Sequence, residues 1–418
     1  MKILSLLLSL SLSTVMCGRN ALKRTSCMTS LQCDQGFWKR KGNDIEHSCY
    51  GQSETLRYKI QDGMKKIKSM EYQHLTSFSI NNEQYQLFTD NKSVIMTKWN
   101  EDEDDLREKQ RLDIPSAYNA EVIFHNGNTI LLVAVYNISR GCMYCNVHDN
   151  KNPSRAYHWD HSRNIFEEDH FKNLPSTGSI LSFSERYRDR STVITVFAKC
   201  GCNTRIYYLD TNEPGIVFKE IDQNNSLPSS GMVIQSVRYL KSQYILFAPL
   251  NRFNEREPIK IFKWTQNTGS LTFHRHLSTY INEETGLSTT VFKNDVFLCS
   301  VSDASKNVTI FRLKPNQGHL EKIGDIQEEV AFSMCKFVTE NHELYAAVGF
   351  QSKVKLLQYD PLTGNFADAG SLPGARNIID LISFQSRDDA YIVTASTKRH
   401  NRSYCKNKVY RKIHSPST

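Results

Sequence analysis

After about residue 16 the chain has no apolar stretch approaching the ~20 residues that a membrane-crossing helix needs, so no transmembrane segment is expected. It also lacks the local signatures of common catalytic chemistry. There is no G-x-S-x-G elbow, no H-E-x-x-H pair, no phosphate-binding glycine loop and no repeated S-x-D-x-G-x-T-W turn of the sialidase type. No nucleic-acid-binding motif is present either. A large charge of one sign is missing too. The formal net charge is +8 over 418 residues, with acids and bases interspersed. That suits ordinary solubility first and attraction to an acidic protein or glycan second.

What the chain does have begins with Lys2 followed by ILSLLLSLSLSTVM, an apolar run too short to span a bilayer and ending in small residues before Gly18. Residues 1–17 read as a cleaved secretory signal, with removal near Cys17 or Gly18. Loss of Lys2 lowers the formal charge from +8 to +7. The mature protein is therefore expected to be soluble, secreted and extracellular.

The remainder is organised by a unit of about 50 residues, cleanest over residues 330–374. An inner-strand aromatic recurs as Phe78, Phe124, Phe183, Tyr239, Phe292, Phe337 and Phe384, at spacings of 46, 59, 56, 53, 45 and 47 residues. A third strand of alternating apolar and polar residues follows each one, ending at Trp99, Trp159, Leu209, Trp264, Leu313, Tyr359 and Arg411. Four short strands per unit and seven units predict an all-β, seven-bladed β-propeller with four-stranded blades. Strands this short and exposed are stable only when stacked on others like them. Blades are expected at about 72–115, 116–175, 176–227, 228–281, 282–328, 329–374 and 375–418. The last supplies only three strands of its own, and its fourth is expected from residues 55–61 or from KKIKSM just after, so that residues 54–418 close as a ring.

Inner strands line a propeller's channel, where enzymes on this scaffold usually work. The runs LTSFSI, AEVIF, SILSF, IQSVRY, STTVF, SMCKF and DLISF offer only Glu121 and Asp380 as carboxylates. Nothing in the sequence pairs these two, so no catalytic residue, cofactor or metal is expected and the protein is read as a non-enzyme. His158 and His161 flank Asp160 at a strand end, which suits a polar turn better than a metal site. His274 and His276 read as surface residues alternating on one face of an outer strand.

Ten cysteines remain after signal removal, an even number consistent with disulfides in an oxidising compartment. Cys142 with Cys145, and Cys200 with Cys202, fall in the second-to-third-strand connections of blades two and three. Two cross-blade disulfides are the first reading and a four-thiolate zinc site the second. Cys27, Cys33 and Cys49 lie in an N-terminal segment, residues 18–53, for which Cys405 is the natural fourth partner. Cys299 and Cys335 fall within strands, either bridged or simply buried. The basic cluster at 39–41 reads as a solvated loop or a processing site, and the acidic run at 101–105 as a solvated turn. Sequons at Asn91, Asn137, Asn224, Asn307 and Asn401 fall in expected loops and are glycosylation candidates.

NTILLVAVYN at 128–137 followed by RAYHW, and YQLFTDNKSVIMTKW at 85–99, resemble the EAR repeat, also called the EPTP repeat. GARNIIDLISF at 374–384 is similar to that family's inner strand. The repeat occurs in the leucine-rich glioma-inactivated proteins and in the thrombospondin-type laminin G domain and EAR repeat protein. This chain departs from the pattern by lacking the inner-strand Trp in every copy, and it keeps the inner-strand Asp once, as Asp380. The resemblance implies a secreted seven-bladed propeller that recognises extracellular or cell-surface proteins without catalysis.

Long connections on a rigid scaffold are where binding tends to reside. The insertions in blades two and four nominate Arg140, Tyr144, His148, Arg252, Phe253 and Arg256 as protein contacts. The basic runs at 186–190 and 397–402 keep a glycan or glycosaminoglycan ligand as the alternative, and a secreted hydrolase or lyase as a further one.

Overall fold

The computed structural model describes residues 36–41, 44–49 and 57–61, and most of 72–413 apart from connections such as 136–152, 199–203, 250–257 and 397–407. Residues 1–17, expected to be a signal segment, Cys27, Cys33, the two cysteine pairs at 142/145 and 200/202, Cys405 and all six nominated contact residues lie outside the described residues. The chain forms two compact units, residues 1–54 and 55–418.

In the first unit, β1 (Gly36–Lys41) and β2 (Asp44–Cys49) pair antiparallel. The basic cluster expected in a loop is strand instead: Lys39, Arg40 and Lys41 pair with Glu46, Ile45 and Asp44. Phe37, Trp38 and Ile45 supply the β propensity that carries the backbone extended through three charges.

The second unit holds seven four-stranded antiparallel sheets, with no helix among the described residues. Blade one is β4 (Tyr72–Ile80), β5 (Glu83–Asp90), β6 (Ser93–Asn100) and β7 (Asp105–Asp113). Blade two is β8 (Ala117–His125), β9 (Asn128–Val135), β10 (Arg155–Asp160) and β11 (Ile165–Asp169). Blade three is β12 (Ser179–Tyr187), β13 (Arg190–Ala198), β14 (Arg205–Asp210) and β15 (Val217–Ile221). Blade four is β16 (Gly231–Tyr239), β17 (Ser242–Pro249), β18 (Pro258–Thr265) and β19 (Ser270–Tyr280). Blade five is β20 (Leu287–Phe292), β21 (Asp295–Ser302), β22 (Asn307–Lys314) and β23 (His319–Gln327). Blade six is β24 (Phe332–Glu340), β25 (Glu343–Phe350), β26 (Val354–Asp360) and β27 (Asn365–Leu372). Blade seven is β28 (Ile378–Ser386), β29 (Asp389–Ser396) and β30 (Lys408–Ile413), completed by β3 (Arg57–Gln61), which pairs with β30 from Arg57 opposite Ile413 to Gln61 opposite Val409. Of the two expected sources for this last strand, the chain uses the earlier.

Burial follows strand position. Second strands such as ILLVAV in β9 and YIVTAS in β29 are buried along nearly their whole length, because both of their faces meet a neighbouring blade. Outer strands such as β7 are mostly exposed. The core is accordingly a ring of seven apolar clusters, one in each seam between adjacent blades, including the seam from blade seven back to blade one.

The two sequence landmarks turn out to be partners across those seams. Trp159 of blade two meets Phe78 of blade one with ring centroids 6.1 Å apart, Trp264 of blade four meets Phe183 of blade three at 5.9 Å, and Tyr359 of blade six meets Phe292 of blade five at 6.3 Å. Trp99 of blade one meets Phe384 of blade seven at 5.2 Å, which closes the ring. Two of the seven inner aromatics do not hold this place. Phe124 is 50% exposed, and its neighbour Ile123 occupies the seam beside Leu209. In blade six Val338 is the fully buried residue, and Phe337 packs on the opposite seam with blade five. A one-residue offset in a strand moves a side chain to the other face, so the spacing alone misassigned both.

Cys299 on β21 and Cys335 on β24 form a disulfide with Cα atoms 6.1 Å apart, joining blades five and six inside their shared core.

Candidate functional site

An inner strand is an edge strand, so half of its backbone N–H and C=O groups face the channel with no ladder partner. Here side chains from the adjacent blade supply partners. Asp380 of blade seven accepts the Leu75 N–H of blade one at 2.8 Å, and Glu121 of blade two accepts the Ser182 N–H of blade three at 2.9 Å. The Ser288 hydroxyl of blade five accepts the Phe337 N–H of blade six at 3.3 Å. Thr76 donates to the Ala120 carbonyl at 2.9 Å and Thr289 to the Ser236 carbonyl at 3.1 Å, across the one–two and four–five seams. Lys336 of blade six pairs with Asp380 of blade seven, and Glu185 of blade three accepts Gln266 of blade four at 2.5 Å. Every seam is thus bridged by at least one polar side chain.

Both carboxylates singled out in the sequence are committed in this way. Asp380 is 3% exposed, also accepts its neighbour Leu381's N–H at 2.8 Å, and pairs with Lys336. Glu121 borders the channel and keeps some accessible surface, yet it sits deep enough that desolvation pushes its carboxyl up to about 8, the Ser182 N–H offsetting this only in part. His74, hydrogen-bonded to Thr76 at 3.1 Å, is driven down to about 4 by burial, which outweighs the attraction of Asp380 and is reinforced by Lys336. Glu121 lies on a different seam from Asp380 and His74. Among the described residues no three His, Cys, Asp or Glu side chains converge as a metal site would require.

Inner strands run further toward the hairpin end than the sequence suggested, which adds Glu185 and Glu340 to the carboxylates on them. At that end blades six, seven and one frame an open depression of about 360 Å³ lined by Ser77, Phe78, Ser79, Gln84, Thr339, Ser383, Phe384 and Gln385. On the same three blades acids and bases pair off. Glu101 of the acidic 101–105 turn accepts Ser386 at 2.7 Å and Arg387 at 2.8 Å across the seven–one seam, so it is more than a solvated turn. Arg107 binds Glu103 at 2.9 Å, Arg411 binds Asp389 at 2.6 Å, and Lys412 reaches Glu343 at 3.4 Å.

Other nominated residues have local explanations. His158 lies 3.7 Å from Glu167, while Asp160 ties the following turn through Ser162 at 2.7 Å. His274 and His276 are exposed as expected. A bulge between them and Phe262 breaks the alternation, so His274 packs on Tyr244 and His276 on Phe273. Of the sequons, Asn91 is exposed in the turn after β5, and Asn307 opens β22 half-buried with an enclosed, unpartnered Oδ1. Asn137, Asn224 and Asn401 lie outside the described residues, as does the side chain of Cys49.

No known family model matches the chain, and no curated protein sequence does either. Among solved structures it is similar to a triple arginine-to-alanine mutant of AofleA from Arthrobotrys oligospora, at 10% identity and a TM-score of 0.46 over 76% of this chain and 90% of that one. It is also similar to U3-55K, at 11% identity and a TM-score of 0.49 over 85% of this chain and 98% of that one. At this distance neither similarity carries an inference about function.

Proposed function

We propose that the protein is a secreted recognition module, a propeller of the EAR/EPTP type that binds an extracellular or cell-surface protein and performs no chemistry in its channel. The observation that supports this most is the use of the channel's polar groups. Asp380 spends its acceptors on Leu75, Leu381 and Lys336, and Glu121 accepts the Ser182 amide. An acid–base pair needs two carboxyl groups facing one reacting bond at a controlled separation; these two face separate seams. What a closed ring of rigid blades offers instead is a fixed frame for its connections. On this reading Arg140, Tyr144, His148, Arg252, Phe253 and Arg256 are contacts on the face that carries the second-to-third-strand connections.

The test is a cell-surface binding and proximity-labelling experiment with the secreted protein at physiological and at high salt. Capture of one membrane protein that survives salt is the expected result. Binding spread over many cell types and abolished by salt would assign the module to glycans, and an absence of binding would refute the proposal.

A further inference from the structure

The channel mouth at the hairpin end is electrostatically lopsided. At the inner hairpin turns of blades six, seven and one the one Lys or Arg is Arg387, and it pairs with Glu101. Blades three to five are different. Arg186, Arg188 and Arg190 on the β12–β13 hairpin, Arg238 and Lys241 on β16–β17, and Lys293 on β20–β21 are all exposed. In sequence those three hairpins carry three carboxylates, Glu185, Asp189 and Asp295, against the six cations. Glu185 is buried, already accepts Gln266, and stands 3.8 Å from Arg238. Arg188 and Lys293 lie 5.1 and 5.2 Å over the rings of Tyr187 and Phe292, which steadies the two cations without neutralising them.

Apolar side chains stand among these charges. Leu240, at the tip of the blade-four hairpin, is 71% exposed, Val291 on the next hairpin is 44% exposed, and Phe124 of blade two is 50% exposed. Leu240 holds φ at 53°, as the first turn residues of other inner hairpins do: Asn81, Asn126, Arg188, Lys293 and Arg387. A leucine in this region is strained by about 1 kcal/mol, a cost that glycine avoids and asparagine reduces. The Leu240 side chain, 71% exposed, is left to solvent at the hairpin tip.

We propose that the hairpin-side arc of blades three to five docks an acidic protein segment bearing an aliphatic or aromatic anchor, its carboxylates meeting the six cations and its anchor seating on Leu240 and Val291. A sulfated glycan would need the cations alone. The exposed apolar residues between them favour a partner that is both acidic and apolar. This inference rests on the reading of the protein as a recognition module, but it concerns the face opposite the long insertions.

The probes are a short labelled peptide alternating Glu with Leu, the same peptide with Ser in place of Leu, and heparin. The native protein should bind the Glu/Leu peptide about tenfold or more tightly than the Glu/Ser peptide. Lys241→Glu with Lys293→Glu should weaken the Glu/Leu peptide at least about tenfold, and added salt should also weaken it. Leu240→Gly should abolish the preference for Leu while leaving thermal stability equal or higher, since glycine accepts the positive φ. Equal binding of both peptides and of heparin, indifferent to Leu240→Gly, would overturn the proposal in favour of a sulfated glycan. Failure of the Glu/Leu peptide to bind, or indifference to the double charge reversal, would overturn it outright. Cell-surface capture that persists in all these variants would leave the recognition module standing and remove only this site.

Discussion

Asp380→Ala is the perturbation that most directly tests how the ring is held shut. It orphans the Leu75 N–H across the seven–one seam and leaves Lys336 without its partner. A buried unpaired amide costs about 1–3 kcal/mol, and breaking a fully buried ion pair about 3–5 kcal/mol. The Lys336 side chain is 31% exposed and can recover water from the channel, so the second figure must be discounted. We expect a total of about 2–4 kcal/mol, large against a typical stability of about 5–15 kcal/mol. At roughly 2 °C per kcal/mol for a domain of this size, that is a fall in Tm of about 4–8 °C. Asp380→Asn keeps an oxygen for the Leu75 amide and should cost less than half as much. Urea melts followed by tryptophan fluorescence suit the question, because Trp99 packs on Phe384 and Tyr391 in the same seam. A double-mutant cycle with Lys336→Met should return a coupling of about 1–2 kcal/mol. A cost below about 0.5 kcal/mol for Asp380→Ala, or strict additivity in the cycle, would refute the idea that this carboxylate bridges the last seam.

Glu121, raised to about 8 from an unfolded value near 4.5, makes the folded chain retain a proton that the unfolded chain releases. Its contribution to stability therefore declines as pH rises through that window, and Glu121→Gln should raise the urea midpoint at pH 8 while leaving it unchanged below pH 4.5. His74 acts at the other end: lowered to about 4 from 6.5, it destabilises the fold as pH falls between those values, and a His74→Gln melt series should lose that acid slope. Replacing both Cys299 and Cys335 with Ala should cost about 4 kcal/mol from the chain entropy of a 36-residue separation, and intact-mass analysis under denaturing, non-reducing conditions should find the pair oxidised in the native protein. Gly269→Ala should lower Tm by the equivalent of about 2–4 kcal/mol, since the added methyl would strike the Tyr187 ring at a φ of +61°; an unchanged melt would show that the blade three–four seam yields easily.

The propeller was legible because each blade repeats a complete set of signals: an inner aromatic, a buried second strand and a third-strand terminus. Their roles were not, because pairing of Trp159 with Phe78 or Trp99 with Phe384 is a relation between blades, and strand spacing carries no information about it. Phe124 shows the limit of the landmark, since the face on which a strand residue falls depends on its distance from the hairpin turn as much as on its chemistry. The channel was half readable. Glu121 and Asp380 stood out as carboxylates on apolar strands, but His74 and Lys336 had no periodic signature, and the Leu75 amide meets Asp380 across 305 residues of sequence. The exposed cations of blades three to five were visible only as the run at 186–190; Arg238, Lys241 and Lys293 join it through the ring.

Blade seven, shared between β3 and β30, also sets an order of events during synthesis. The strand at 57–61 leaves the ribosome about 350 residues ahead of its partner at 408–413, which at ~5–20 residues per second is a wait of roughly 20–70 s. Six blades can stack in that interval. The seventh cannot be completed, and an unpaired β edge stays available to other nascent chains throughout. Such a protein should depend on chaperone protection late rather than early in its translation, and damage within the strand at 408–413 should be as harmful to folding as loss of the strand at 57–61.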